Sequence, residues 1–150
     1  MSRCAVDAAH ERLASDAALV GMLHLPGQVY RHERPEKAPT PANKVWGRVI
    51  VKLPTNPYGP VASVIGRRQF SLRIHVDVAD VLVDGYDPHR YAADVHQRVF
   101  ERLSGYAPEL AAGRLVLPIY RTADPDEAQR HPTLPFFASA ATYLTLVDPA

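Results

Sequence analysis

Few residues in this sequence have the types and spacing that chemistry requires, and the best candidates are a histidine and an aspartate two positions apart. His75 and Asp77 are expected on the same side of a strand, because successive side chains point to opposite faces of a sheet. Such a pair can begin a metal site, with His131 on a loop as a possible third ligand. Two ligands are too few to hold a metal. The alternative is a polar sheet face turned toward solvent or a neighbouring molecule.

The remaining chemistry-bearing patterns are weaker. Cys4 is the only cysteine, so no intrachain disulfide or cysteine-rich zinc site can form, and its place near the N terminus argues against a rigidly held nucleophile. The acidic run 124–127 lacks the glycine and the spacing of a calcium loop. Phosphate-binding glycine loops, the nucleophile elbow and zinc-binding helix motifs are absent. We therefore expect a protein that is not an enzyme and that binds neither a cofactor nor a metal.

Charge is unevenly distributed along a nearly neutral chain. The 150 residues carry 17 Lys+Arg and 16 Asp+Glu. Residues 31–73 hold nine basic and two acidic groups, a balance of +7, whereas residues 76–127 hold ten acidic and five basic groups, a balance of −5. This asymmetry suits a nucleic-acid surface, or a subunit whose basic side meets the acidic side of a neighbour. The apolar stretches 17–23 and 136–141 are too short to cross a membrane, and the charges among the first 30 residues argue against a signal peptide.

Two amphipathic helices are predicted from three- and four-residue spacing of apolar side chains. The first covers residues 4–20, with Gly21 as its terminator. The second has clearer end signals, because Asp87 fits the N-cap, Pro88 fits the first turn and Gly105 fits the C-terminal stop.

Alternating or β-branched runs predict strands at residues 29–31, 44–53, 69–79, 114–120 and 136–147. Pro118 favours an edge position for the fourth of these strands, because proline cannot donate to the hydrogen-bond ladder. Six of the 14 prolines cluster at 35–41 and 54–60, where they predict extended loops. The expected fold is a single α+β domain, residues 1–150, with a mainly antiparallel sheet of four to five strands, two amphipathic helices packed on one face and long Pro-rich loops.

Several segments match a known family in their order. They are a helix ending in Asp16-Ala17-Ala18-Leu19-Val20-Gly21, then Gln28-Val29-Tyr30, a proline loop, the strand 70–78, the helix 91–103 and the closing segment 124–147. This layout, which covers nearly the whole chain, resembles the tail terminator and minor tail proteins of long-tailed bacteriophages. The Pro-rich segment 54–66 is longer here than that family's pattern leads us to expect.

The resemblance implies a structural virion protein of the tail or neck. Such a subunit forms a ring, typically a hexamer, that caps the tail tube, ends its polymerisation and joins the tail to the head. The implied partners are copies of the same chain, the tail tube protein, a head–tail connector or stopper protein, and DNA passing through the channel without sequence specificity. No membrane partner is implied, and assembly is expected in the cytoplasm of the bacterial host.

The Pro-rich loop 54–66 and the basic pair that follows it are the expected assembly or channel surface, since stiffened loops lose little entropy when they are ordered against a partner. The candidate residues on that surface are Trp46, Tyr58, Arg67, Arg68 and Arg73. Two alternatives stay open. One is a neighbouring connector or stopper ring, and the other is a small metal- or ligand-binding enzyme domain built on the His75 and Asp77 face.

Overall fold

The computed structural model describes residues 5–25, 27–35, 44–53, 58–60, 68–110, 114–115 and 117–148. The described elements, in chain order, are α1 (Ala5–Ala14), α2 (Ala17–Met22), β1 (Val29–Arg31), β2 (Gly47–Lys52), β3 (Tyr58–Pro60), β4 (Arg68–Ala79), α3 (Pro88–Leu103), β5 (Arg114–Leu115), β6 (Tyr120–Arg121), β7 (Gln129–Arg130) and β8 (Phe136–Asp148).

Two long antiparallel strands form the centre of the sheet. β4 and β8 pair from Arg68 opposite Val147 to Ala79 opposite Phe136. β2 pairs antiparallel with the other edge of β4, and β1 lies parallel to β2. The main path of the sheet is therefore β1-β2-β4-β8-β5, with β3 beside β4 and with β6 and β7 beside β8.

The α+β class and the mainly antiparallel sheet are confirmed, with two corrections. The sheet is mixed, because the connection from β1 returns the chain to β2 in the same direction. The described sheet also has eight strands rather than four or five. Pro118 divides the predicted strand 114–120 into β5 and β6, since a proline cannot donate at that point of the ladder.

The predicted first helix is divided at Asp16. Its backbone is extended there, with φ −81° and ψ 105°, and its carboxylate accepts a hydrogen bond from the Leu19 N–H as the N-cap of α2. Gly21 consequently lies inside α2 and does not end a helix. Arg98 of α3 donates two hydrogen bonds of 2.7 Å to the Asp16 carboxylate, which ties α2 to α3.

The third helix follows the predicted end signals. Asp87 accepts a hydrogen bond from the His89 N–H, Pro88 stands in the first turn, and Gly105 has a φ of +81° just beyond the C-terminal end. All three helices pack on one face of the sheet. The core between them contains side chains from α1, α2, α3 and every second residue of β4, namely Phe70, Leu72, Ile74, Val76 and Val78.

Candidate assembly surface

The face of the sheet turned away from the helices is here called the distal face. It carries Arg48, Ile50 and Lys52 of β2 and Arg73, His75 and Asp77 of β4, because these positions alternate with the core residues. In the register, Arg48 lies opposite Asp77, Ile50 opposite His75 and Lys52 opposite Arg73. The predicted alternation of β2 and β4 thus brings three positively charged side chains together with one carboxylate.

Asp77 is the centre of a buried ion cluster on the distal face. Its side chain is fully buried, and its Oδ2 accepts hydrogen bonds from Arg48 Nε at 2.7 Å and from Arg34 Nε at 2.8 Å. Arg34 also donates from Nη2 to Oδ1 at 3.0 Å. The Arg48 guanidinium lies 5.1 Å from the ring centre of Trp46 and 4.9 Å from that of Phe136. The cluster therefore holds the segment containing Arg34 against the sheet.

Two of the three residues considered for a metal site, Asp77 and His131, are hydrogen-bonded within the protein. His75 and Asp77 share the distal face, as expected, but both Asp77 oxygens accept from arginine. His131 Nδ1 accepts from the backbone N–H groups of Thr133 and Leu134 at 3.2 and 3.0 Å. The part of the chain that the structure describes contains no group of three metal-ligating side chains.

The positive charge of the distal face affects the pKa of His75. Burial, and then the nearby charges of Arg34, Arg73 and Lys52, lower its pKa to about 4 against the opposing effect of Asp77. The imidazole is therefore neutral at pH 7, so it adds no charge to a face on which the arginines and the lysine dominate.

Exposed charges border a cavity of about 510 Å³ beside β4 and β8. The side chain of Arg73 is 48% exposed and faces that of Asp126, which is 71% exposed, at 3.7 Å. Arg130, 68% exposed, pairs with Asp80 at 2.8 Å. Because these pairs are solvent-accessible, each contributes little to folding, and their side chains are available to a partner.

The structure separates the predicted surface residues. Arg73 lies on the distal face as an exposed cation. Trp46 is only 1% exposed and packs in a small core with Ala79 and Phe136, so its placement on an exposed surface is corrected by the burial of its indole. Arg68 begins β4, where it pairs with Pro60 of β3, and Tyr58 begins β3.

Other parts of the predicted surface fall outside the described residues. They are Arg67 and the loop 54–66 apart from residues 58–60.

A second cavity, of about 360 Å³, lies between α3 and residues 121–128. His96, 2% exposed, is there with its Nε2 2.8 Å from Ser139 Oγ, and burial lowers its pKa to about 4. No hydrogen-bond partner meets its Nδ1 among the described residues. An imidazole with so low a pKa is a weak general base at neutral pH, and no carboxylate of the described part of the chain is hydrogen-bonded to it. We interpret the pair as a contact that joins α3 to β8.

The fold resembles that of a chain in a solved virion structure. Fourteen chains of solved structures are similar to this one. One of them belongs to the structure titled "Virion of native gene transfer agent (GTA) particle", with a TM-score of 0.59 and 19% sequence identity. The similarity covers 95% of this chain and 92% of that one. At this identity the likeness establishes a shared fold over nearly the full length of both chains.

Comparisons of the sequence with family models and with curated proteins identify no relative of this chain. Among the described residues, no helix is both long enough and apolar enough to span a bilayer.

Sequence reasoning missed Arg34, Arg48 and Leu82 as notable side chains. Arg34 directly precedes the proline cluster at 35–41, and Arg48 lies in the predicted strand 44–53. The signal for Arg48 is its position directly before the β-branched run 49–51, where it lies opposite Asp77 once β2 is paired with β4. The signal for Leu82 was an apolar run, residues 81–83, placed directly before the helix cap at Asp87.

Proposed function

We propose that this chain is a structural protein of a phage-like particle, and that six copies form a ring which caps the tail tube, ends its polymerisation and joins the tail to the head. The observation that carries the proposal is the shared fold with a chain of a gene transfer agent virion, at a TM-score of 0.59 over 95% of this chain. The order of segments quoted above supports the finer role at the tail terminus.

The charges of the described residues fit a subunit that meets its own copies. The distal face exposes Arg73 and Lys52, whereas the loop between β4 and α3 carries Asp80, Asp84 and Asp87 without a basic residue. Surfaces of opposite charge at different places on one molecule favour head-to-tail contacts, which close into a ring when the rotation between subunits allows it.

The expected partners in this proposal are the tail tube protein on one side of the ring and a connector or stopper protein on the other. DNA crossing the channel would meet cations without base readout, since phosphate contacts are independent of sequence. Arg73 of the distal face is one such cation, and Tyr58, Arg67 and Arg68 with the loop 54–66 are proposed for the same assembly or channel surface.

The first test is the mass and shape of the purified protein, alone and with tail tube protein. A closed six-membered ring of the 16.6-kDa chain has a mass of about 100 kDa. Light scattering gives the mass, and negative-stain imaging gives the ring and its position on tube ends. Tubes that lengthen without limit in the presence of the protein, and that carry no density at either end, would contradict the terminator role.

A variant tests the proposed basic surface. Replacing Arg67 and Arg68 with glutamate should reduce assembly, most clearly at low salt, because electrostatic attraction is screened as ionic strength rises. Normal rings and normally capped tubes at low and high salt would remove this pair from the surface.

The alternative ring at the same junction is a connector or stopper. It would form rings of its own and bind head-side proteins, but it would leave tube length unchanged. The enzyme-domain alternative predicts stoichiometric metal in the purified protein and its loss on His75→Ala, which elemental analysis measures.

A further inference from the structure

Large apolar side chains are exposed at only two places in the part of the chain that the structure describes. Leu82 and Val83 lie in the loop between β4 and α3, with exposures of 105% and 42%. Leu117 and Tyr120 lie beside β8, with exposures of 42% and 43%. Residues 80–87 are called the apolar tip below, and residues 117–120 the apolar edge.

The apolar tip is held in a defined conformation. The Asp80 N–H donates to the Pro135 carbonyl at 3.0 Å, and the Tyr86 N–H donates to the Val83 carbonyl at 3.0 Å. The Tyr86 hydroxyl donates to the Ala79 carbonyl at 2.6 Å, and Gly85 supplies the φ of +80° that the turn requires. Because the loop already holds the fully exposed Leu82 in one conformation, the loop loses little conformational freedom when a partner buries this side chain.

The apolar edge is equally well anchored. Ile119 is 1% exposed, accepts a hydrogen bond from the Gly105 N–H at 2.8 Å and donates to the Tyr106 carbonyl at 2.9 Å. The Leu117 carbonyl accepts from the Thr145 hydroxyl. These contacts fix the backbone while the side chains of Leu117 and Tyr120 remain partly in solvent.

The two places lie at opposite ends of the sheet. The apolar tip follows Ala79, which pairs with Phe136, whereas Tyr120 pairs with Leu144. The eight residue-to-residue steps along β8 from Phe136 to Leu144 span roughly 27 Å at about 3.4 Å per residue. The tip of one chain therefore cannot contact its own edge, and a contact between them has to join two chains.

The charges around the two places are complementary. Residues 80–87 include three aspartates and no basic residue, and residues 114–121 include two arginines and no acidic residue. Two of these charges have partners within the chain, since Asp80 pairs with Arg130 at 2.8 Å and Arg121 pairs with Asp124 at 3.3 Å. Arg73, 48% exposed, also lies on the distal face two strands from Tyr120. Complementary charge around an apolar centre favours one orientation of docking over others.

We propose that the apolar tip of one copy docks on the apolar edge of the next copy, with Leu82 as the anchor. This inference deepens the proposed ring, on which it rests, by naming its subunit contact. The contact joins two different surfaces, so each chain offers both and a closed cycle uses all of them. A copy of this chain is the occupant that accounts for both exposed places and both charge patterns.

Two variants that each remove one half of the contact test the proposal. Leu82→Glu and Tyr120→Glu should each weaken self-association at least about tenfold, because burying a charge at an interface anchor is costly. A mixture of the two variants retains one intact tip and one intact edge per pair, so it should stop at dimers. Gln97→Glu, which adds the same charge at an exposed position of α3, should associate like the parent chain.

Single cysteines give a direct readout of the same contact. In a Cys4→Ser background, Leu82→Cys protein and Tyr120→Cys protein are mixed with a short bis-maleimide reagent. The proposal predicts a product of twice the 16.6-kDa chain mass in the mixture, and little of it in either protein alone. Circular dichroism and thermal melting establish that each variant is folded.

The outcomes separate the inference from the proposed function. Rings that form normally with Leu82→Glu would overturn the contact and leave the ring standing. Efficient cross-linking of Leu82→Cys protein with itself would overturn the head-to-tail arrangement. Cross-linking of Leu82→Cys only to a tube or connector protein would assign the tip to that partner instead. Parent protein that does not self-associate, at the highest soluble concentration or on tube ends, together with no cross-link between the two cysteine variants, would overturn both the contact and the ring.

Discussion

Replacing Asp77 with alanine should destabilise the fold by about 3–5 kcal/mol, because it leaves a buried guanidinium without its carboxylate. The side chains of Asp77 and Arg48 are 0% and 1% exposed, and their Nε–Oδ2 distance is 2.7 Å. For a domain of 150 residues, each kcal/mol lowers the midpoint of thermal unfolding by about 2–4 °C, so the expected fall is roughly 6–20 °C. Urea denaturation at pH 7 and differential scanning calorimetry measure the two quantities.

Arg34 provides the matched control for this prediction. Its side chain is 35% exposed while it contacts the same carboxylate, so Arg34→Gln should cost only about 1 kcal/mol. The double variant Arg48→Met/Asp77→Ala should be less destabilised than the sum of its single variants, since removing both partners leaves neither buried charge without its counter-ion. A loss of less than about 1 kcal/mol in Asp77→Ala, or equal losses in the Asp77 and Arg34 variants, would refute the claim that this cluster is a buried, mutually dependent unit.

Three further predictions concern the helices and the strand β2. Burial lowers the pKa of His96 to about 4, so the imidazole stays neutral in the folded protein while that of the unfolded chain binds a proton below about pH 6.5. This difference should lower the free energy of unfolding by about 2 kcal/mol between pH 7 and 5. In urea denaturation, His96→Gln should lose about 2 kcal/mol less than the parent over the same pH range. The hydrogen bonds from Arg98 lower the pKa of Asp16. Its stabilisation is complete above the unfolded pKa and disappears as pH falls through the folded value, so Asp16→Asn should be less stable than the parent at pH 7, and the difference should shrink as the solution is acidified. A difference that stays constant as pH falls would contradict the charge assignment. Gly47→Ala should lower the free energy of unfolding by about 1–3 kcal/mol, because the new Cβ would lie 2.7 Å from Tyr91 Oη. Gly21→Ala is the control, because Gly21 has open space around it and a helical backbone, so this variant should be stabilised. Thermal melts of both variants measure the difference.

Local patterns were sufficient to predict the long elements of the fold. β4 and β8 were found within a residue or so of their ends, because apolar and polar side chains alternate along β4 and β8 is a continuous β-prone run. α3 was found because Asp87, Pro88 and Gly105 mark its two ends. These signals act within a few residues of one another, which is why the sequence alone reveals them.

Features that depend on distant residues were not predictable in this way. The break between α1 and α2 depends on Asp16, whose carboxylate is held by Arg98 from a helix 82 residues away. The parallel pairing of β1 with β2 and the three two-residue strands beside β8 are likewise set by the neighbours they meet.

The proposed assembly surface also includes residues whose exposure follows from nearby sequence and residues whose exposure depends on distant parts of the chain. Arg73 was assigned to an exposed face because alternation along one strand places it there. Trp46 was misplaced because its burial depends on Phe136, at the start of another strand. The exposure of Leu82 became evident only when the turn at Gly85 and the anchoring of Tyr86 were known.

Cryo-electron microscopy of the protein bound to reconstituted tail tubes is the most direct test of the proposed ring of copies on a phage-type tail. We expect a single closed ring at one end of each tube, with the apolar tip of every subunit bound to the apolar edge of the next. Tubes without a terminal ring, or the chain bound there as a single copy, would contradict it.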